Sequence, residues 1–440
     1  MTAIAFILFM SSGITGPISS LYTASLGASY VAIGFLGTVT SLTRILSSYV
    51  WGRASDHLEQ RRAFLVLSLA ALAVCYGLTT VVPSYEYLFP LRVLGAVAHA
   101  AYSVASLALM GDLLERRAEE RGRRMGTWRG LSSLGFGLMA FASGSVADRL
   151  SIRAPYGLAA LFLVIAFSLS LRIRERSSGS VHGGRFTLRG GLRRERSAER
   201  FAFLRSLLLS AWEGARRGVD RLVTSAGQKA GSGPKAVSES LVGENERLPL
   251  SPLLLSVFLW SLVTGAVYAV WANYMVSELG YTPAAMSRLW ALASTSEFPL
   301  MILAGWLSDR IGRLPILSLG FLAWALVFAG YVFAPEMPWI VSIQLTRGFA
   351  YSAFTATAMT YATEVRSRSQ RGEVSGLYSS AGGIGSILGS SMGGILAQLA
   401  GFRTMIGINA ALIFGGAVYL AVVAVRRGTH YRRLEDLPGS

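Results

Sequence analysis

Gly52-Arg53-Ala54-Ser55-Asp56 and Gly305-Trp306-Leu307-Ser308-Asp309 are the two stretches on which the fold of this chain turns; they lie 253 positions apart. At the same spacing Leu26-Gly27 matches Leu279-Gly280, Leu36 matches Leu289, and Ser41 matches Ser294. Each polar stretch falls between two long apolar runs. Further along the offset shortens slightly: Arg121-Gly122 with Gly126 resembles Arg371-Gly372 with Gly376. The chain therefore reads as a duplicated unit.

The polypeptide has 440 residues, 52% of them hydrophobic, which is too apolar for a soluble chain of this size. A helix needs roughly 20 apolar residues to cross about 30 Å of hydrocarbon. The sequence holds twelve such runs, six on each side of a stretch rich in Arg, Ser and Gly. This predicts an all-α membrane protein of twelve transmembrane helices. Residues 1–173 form an N-terminal six-helix half, 174–249 a linker, 250–425 a C-terminal half and 426–440 a tail. Within the linker, Leu204, Leu207, Leu208, Ala211, Trp212, Ala215, Val219 and Leu222 share one helical face, as expected of an amphipathic helix lying on a membrane surface.

The formal net charge of +17 raises the question of nucleic acid, and its distribution answers it. Of 41 Lys and Arg residues, 34 fall in alternate loops and the tail, four (Arg149, Arg153, Arg288 and Arg403) at the opposite ends of the helices, and three (Arg44, Arg92 and Arg347) within helices. Positive residues stay cytoplasmic, so both termini are expected inside a cell membrane, and the excess is a topology signal rather than a nucleic-acid footprint. Cys75 is the single cysteine, so no intrachain disulfide forms. No Walker A sequence, metal-ligand cluster or nucleophile–base pair stands out. ATP-driven transport and an enzymatic role are not expected, nor is a cofactor or metal.

Charge inside a helix is the sharpest functional signal, because each such group costs several kcal/mol at mid-bilayer unless it has a partner or a wet cavity (about 2.5–3.5 on insertion scales). Among 24 carboxylates only Glu297 lies deep within an apolar run. It stands eight residues before Gly305, and Arg44 stands eight before Gly52. The two positions correspond in the repeat with opposite sign. Glu297 reads either as a proton carrier or as a structural carboxylate bonded to a neighbouring helix. Arg92 and Arg347 read as outer-half cations that would favour an anionic solute if they face one cavity. His99, two turns from Arg92, is either a titrating group or a neutral packing one.

The stretch Gly305-Trp306-Leu307-Ser308-Asp309-Arg310-Ile311-Gly312-Arg313 resembles the loop signature of the major facilitator superfamily. There it joins helices two and three, and a copy joins helices eight and nine; both placements hold here. In the first copy Gly52 and Asp56 are kept, His57 replaces the usual base, and Glu59-Gln60 stand at the Gly-Arg positions, so Arg61 or Arg62 would supply the cation. The resemblance implies a secondary transporter of a small organic solute whose halves rock around a midplane site. Proton coupling would run through Glu297. Multidrug efflux by drug/proton antiport is the alternative, and a non-transporting membrane sensor with the same fold the rival from another class. The resemblance also implies that Asp56 and Asp309 accept hydrogen bonds from neighbouring helix N-termini. Gly52 and Gly305 would allow close packing there, and Arg61, Asp112, Arg310, Gly312, Arg313 and Glu364 would complete a cytoplasmic gate. A cavity between helices one, four, seven and ten would be lined from Ser11, Ser12, Thr15, Tyr22, Tyr102, Trp260, Thr264, Tyr268, Trp271, Asn273, Gln344, Tyr351 and Thr355. The expected partners are the solute, protons and the bilayer.

Overall fold

The computed structural model describes residues 1–58, 61–115, 121–172, 249–333, 336–365 and 371–435. Side chains at 52–58, 61, 107–108, 111–115, 121–127, 129, 363, 371–372 and 427–435 lie outside that description. The amphipathic stretch expected at 204–222 also lies outside the described residues.

The described secondary structure is helical. The N-terminal half comprises α1 (Thr2–Thr15), α2 (Ser19–Ser25), α3 (Tyr30–Leu58), α4 (Arg61–Thr79), α5 (Leu88–Glu115), α6 (Arg121–Arg149) and α7 (Ala154–Ser170). The C-terminal half comprises α8 (Leu250–Asn273), α9 (Pro283–Ile311), α10 (Arg313–Phe333), α11 (Met337–Glu364), α12 (Arg371–Ala400) and α13 (Phe402–Glu435). The first crossing is broken: α1 and α2 meet at 47°, separated by Gly16-Pro17-Ile18. Proline has no N–H to continue the ladder, so the helix stops at Thr15 and restarts after the ring. With α1 and α2 counted as one span, the twelve crossings expected from the sequence are present. Among the described residues eight helices are long and apolar enough to cross by themselves, and the bent pair makes a ninth. Of the rest, α7 is 17 residues long, while α9 and α11 carry Glu297 and Arg347 in their interiors.

Packing repeats from half to half. In the first, α1 packs on α6, α3 on α5, and α4 on both α5 and α7. In the second, α8 packs on α12, α9 on α11, and α10 on both α11 and α13. These are the same four pairings shifted by six crossings. Backbone geometry repeats too. Gly27 and Gly280, matched in the sequence, adopt φ 87° and 71° where one crossing turns into the next. Left-handed backbone at low cost is what glycine supplies, which explains why the match includes it.

The α8–α12 contact is made through glycine. A Cβ on Gly389 would strike the Leu262 carbonyl, and one on Gly393 the Ala266 carbonyl. Without a hydrophobic drive between helices in lipid, such close approach supplies the attraction. The two halves meet along α3–α12 and α6–α9.

Gly389→Val should lower the apparent melting temperature of the purified protein, corresponding to a loss of about 1–3 kcal/mol from overpacking. Gly407→Val, where no described atom lies within 4 Å of the new Cβ, should change it little. Thermal unfolding of both variants in one detergent checks this.

Candidate functional site

Arg44 is the central residue of the 29-residue α3, and Glu297 is the central residue of the 29-residue α9. Both line one cavity of about 650 Å³ between the halves, within the range of sites that enclose a small organic ligand. Their repeat-matched neighbours Ser41 and Ser294 line it as well, and so do Arg347, Trp260, Tyr268 and Tyr351. A second chamber of about 510 Å³ shares Ser41, Arg44, Thr264, Tyr268 and Trp290 with the first, and adds Arg92 and the Gly16-Pro17 break. A third, of about 150 Å³, leads from Arg44 and Arg92 to His99, Cys75 and Tyr76 inside the N-terminal half.

The three intramembrane arginines are held differently. Arg347 is 6% exposed. Its Nη1 donates to Gln344 Oε1 at 3.1 Å, and Gln344 Nε2 donates to the Tyr331 hydroxyl at 3.1 Å. The guanidinium lies 4.6 Å from the Trp290 ring centroid and 5.0 Å from that of Tyr268. Two aromatic faces and one amide compensate a buried cation through the ring quadrupoles and a charge-assisted hydrogen bond. Arg92 donates from Nη2 to Ser19 Oγ at 2.5 Å and to the Tyr156 hydroxyl at 3.3 Å. Arg44 is exposed within the cavity. The ion pairs among the described residues are Arg313 with Asp309, Arg313 with Glu364, and Arg403 with Glu278; none includes Arg44 or Glu297. The Glu297 backbone carbonyl accepts from Ser352 Oγ at 2.9 Å, which ties α9 to α11 beside the carboxylate. Two residues further on, Pro299 interrupts the α9 ladder.

Seven residues expected in the cavity wall are buried behind it: Ser11, Thr15, Tyr22, Tyr102, Trp271, Asn273 and Gln344. Tyr102 is 3% exposed in the core of the N-terminal half, against Leu69 and Leu72. Trp271 is 1% exposed, its ring 5.3 Å from Trp290 and 6.0 Å from Tyr331. Gln344 is fully buried and orients Arg347. Asn273 is buried where the halves meet, its Nδ2 donating to the Ser20 carbonyl at 3.4 Å. The reason is geometric: a transmembrane helix turns only part of its circumference to a cavity, so a helix known to line it still buries most of its polar residues. Among the residues missed are Trp290 on α9, Trp324 on α10 and Tyr378 on α12. Trp290 had a readable signal, since it precedes Glu297 by two helical turns and so shares its face. Trp324 and Tyr378 had none.

At the ends of α9, α10 and α11, Arg313 is the organising residue. It grips Glu364 with two bonds, Nε to Oε2 at 2.9 Å and Nη2 to Oε1 at 2.7 Å. Its Nη1 donates to Asp309 Oδ1 at 2.6 Å and to Ser308 Oγ at 3.0 Å. Gly312, at φ 101°, makes the turn that brings Arg313 back over Asp309. In this arrangement Asp309 takes its described bond from Arg313, and no described bond joins it to a helix N-terminus. Arg310 stays out of the carboxylate cluster, its guanidinium 4.0 Å from the Trp306 ring centroid. Close packing does not centre on Gly305 either, which has no described atom within 4 Å of its Cβ position. The side chains of Gly52, Asp56, Arg61 and Asp112 lie outside the described residues.

Every hydrogen bond described between the halves lies at the level of the cavity or beyond it, away from these loops. Tyr30 N–H donates to Gln398 Oε1 at 3.0 Å, and Thr38 Oγ1 to the Ile387 carbonyl at 2.9 Å. The Ser41 and Ser386 hydroxyls meet at 3.3 Å. On the other seam Gly144 N–H donates to Ser287 Oγ, and Ala284 N–H to Asp148 Oδ2, both at 3.0 Å. The far face is closed by these contacts, while the described charge cluster at the linker face ties elements of one half only.

The chain matches the MFS_1 like family over residues 1–406. It belongs to the major facilitator superfamily. By that membership it is a membrane-embedded secondary transporter of small solutes, not an enzyme. It is 23% identical over 397 residues to the maltose permease of Geobacillus stearothermophilus, covering 89% of this chain and 86% of that one. It is 23% identical over 419 residues to a putative sugar efflux transporter of Deinococcus radiodurans, covering 94% of each. Among solved structures, the nucleoside transporter NupG superposes with a TM-score of 0.71 at 14% identity, covering 97% of each chain. That likeness concerns the fold alone.

Gln344→Leu should leave Arg347 without its one side-chain acceptor at nearly constant volume. The expected outcome is a destabilisation of about 1–3 kcal/mol, read as a lower melting temperature in detergent.

Proposed function

We propose that this superfamily member carries a small organic solute by alternating access and couples it to protons at Glu297. The observation that carries the reading is the shared cavity of Arg44 and Glu297. Two repeat-matched, oppositely charged residues at the centres of their helices line one space between the halves, and neither has an ion-pair partner among the described residues. A carboxylate kept in such a place can bind and release a proton as its surroundings change, and intramembrane ionisable residues of this kind mark transport pathways. The aromatic and hydroxyl wall suits a solute with both an apolar surface and polar groups, in line with the sugar-carrying names of two relatives.

The distribution of Lys and Arg supports a cytoplasmic placement for the termini and the linker. On this reading the far face meets the outside, and the seam contacts named above hold it closed. On the same reading the Arg313–Asp309–Glu364 cluster is the C-terminal part of the cytoplasmic gate, opposite the Asp56 loop. The boundaries 1–173, 174–249, 250–425 and 426–440 fit these roles. Drug efflux is the second reading. The aromatic wall favours it, while two arginines facing one carboxylate oppose a cationic cargo.

In proteoliposomes with an entrapped pH indicator, addition of maltose, glucose or gluconate should produce proton movement for at least one solute with the wild-type protein. Glu297→Gln should abolish the proton signal and keep exchange of the labelled solute. Proton movement undiminished in Glu297→Gln would exclude Glu297 as the coupling site.

A further inference from the structure

The three connected chambers hold three arginines, Arg44, Arg92 and Arg347, and one carboxylate, Glu297. The second and third chambers have no acidic residue in their walls. In a low-dielectric enclosure that imbalance attracts anions and repels cations. The arginines are not equivalent. Arg347 is held by Gln344 and by the faces of Tyr268 and Trp290. Arg92 is held by Ser19 and Tyr156. Arg44 alone has no described hydrogen-bond or ion-pair partner for its guanidinium, and it stands in the wall of all three chambers. The wall adds two more donors without acceptors, the indole N–H groups of Trp260 and Trp324. Apart from the Glu297 carboxylate and the Tyr268 hydroxyl, the uncompensated groups of this wall are donors or cations, which favours a ligand that brings acceptors. The same wall carries an aromatic surface, Trp260 5.9 Å from Tyr351 and backed by the buried Phe354, on which it stacks at 4.3 Å.

Resting on the transport reading above, we propose that the solute is an organic oxyanion, with a carboxylate or phosphate group, and that Arg44 is the residue that binds that group. The guanidinium presents a planar fork of donors matched to two oxygens. The remainder of the solute lies on the aromatic wall of α8 and α11. Arg347, in the same lining, adds to the positive potential of the site without giving up its own partners. Glu297, at the repeat-matched position, leaves the cavity with a smaller positive charge when ionised and a larger one when protonated, so anion binding and proton binding reinforce each other.

Binding is measured on the full-length protein in detergent, by thermal shift and by isothermal titration, with matched probes. These are gluconate against glucose, glycerol phosphate against glycerol, and benzoate against benzamide and benzylamine. At least one anionic probe should stabilise the protein more than its neutral partner, and benzylamine should not stabilise it. The carboxylate and phosphate arms show which oxyanion is preferred. Arg44→Gln should weaken the anion at least ~10-fold and bring it level with its neutral partner, the loss expected for one charge-assisted contact. Arg44→Lys should keep part of the preference, and Arg403→Gln, which removes one positive charge elsewhere, should keep all of it. Size exclusion and circular dichroism establish that each variant is folded. The proposal is overturned if no anionic probe stabilises the protein, if neutral or cationic probes bind as well, or if Arg44→Gln keeps the anion preference. It is also overturned if the reversed pair, Arg44→Glu with Glu297→Arg, restores wild-type anion binding, since Arg44 would then serve only as a counter-ion. Because these are equilibrium measurements, they stand apart from the transport reading, which fails separately if a bound probe shows no flux in proteoliposomes.

Discussion

Charge held in the middle of a membrane is the constraint from which the rest of this structure follows. Arg44, Glu297 and Arg347 lie inside helices whose other faces meet lipid or packed side chains. Hydrocarbon would not tolerate them, so the two bundles must enclose a polar space at that depth. Its walls show how each charge is accommodated. Arg347 is wrapped in aromatic rings and bonded to Gln344, while Arg44 and Glu297 are left facing the cavity. A pair of opposite charges in one cavity without a direct bond is an arrangement that a solute or a proton can change.

The bundles around this centre are held together by different means at different depths. Along α8 and α12, glycines bring backbones into direct contact and fix one half internally. Between the halves, hydroxyls and amides of Thr38, Ser41, Ser287 and Gln398 make the seams. Neutral hydrogen bonds of this kind are each worth on the order of 1 kcal/mol, and the bond from Ala284 N–H to the Asp148 carboxylate about 1.5–3 kcal/mol, so a seam built from them is separable without unfolding either half. At the linker face the bidentate Arg313–Glu364 contact and the Arg313–Asp309 bond tie three helix ends into one rigid corner. Rigid halves joined by weak seams are the mechanical requirement for a rocking motion about a central site.

Sugar permeases and sugar efflux proteins among the relatives, and a nucleoside transporter among the fold neighbours, span several solute chemistries at low identity. The fold is therefore no guide to cargo, and the wall of the cavity has to be read residue by residue. Three arginines against one carboxylate, and one arginine left free, are properties of this chain.

Apolar run length, loop charge and a 253-residue repeat were enough to establish twelve crossings in two related bundles, because the bilayer imposes those patterns on any chain that spans it. The repeat also located Arg44 and Glu297 as a matched pair, since a duplicated scaffold puts equivalent positions at equal depth. What the sequence could not say was which side of each helix faces the cavity. Gly305 carried the motif yet packs against nothing described, while Trp324 and Tyr378, on helices not expected to contribute, form part of the wall. Tyr102 and Gln344 belonged to the right helices and turned away from the solute path. A membrane helix has no polar exterior to betray its orientation, so the rotation of each one is decided only when neighbouring side chains pack. That packing alone separated the arginine with no bound partner from the two already engaged.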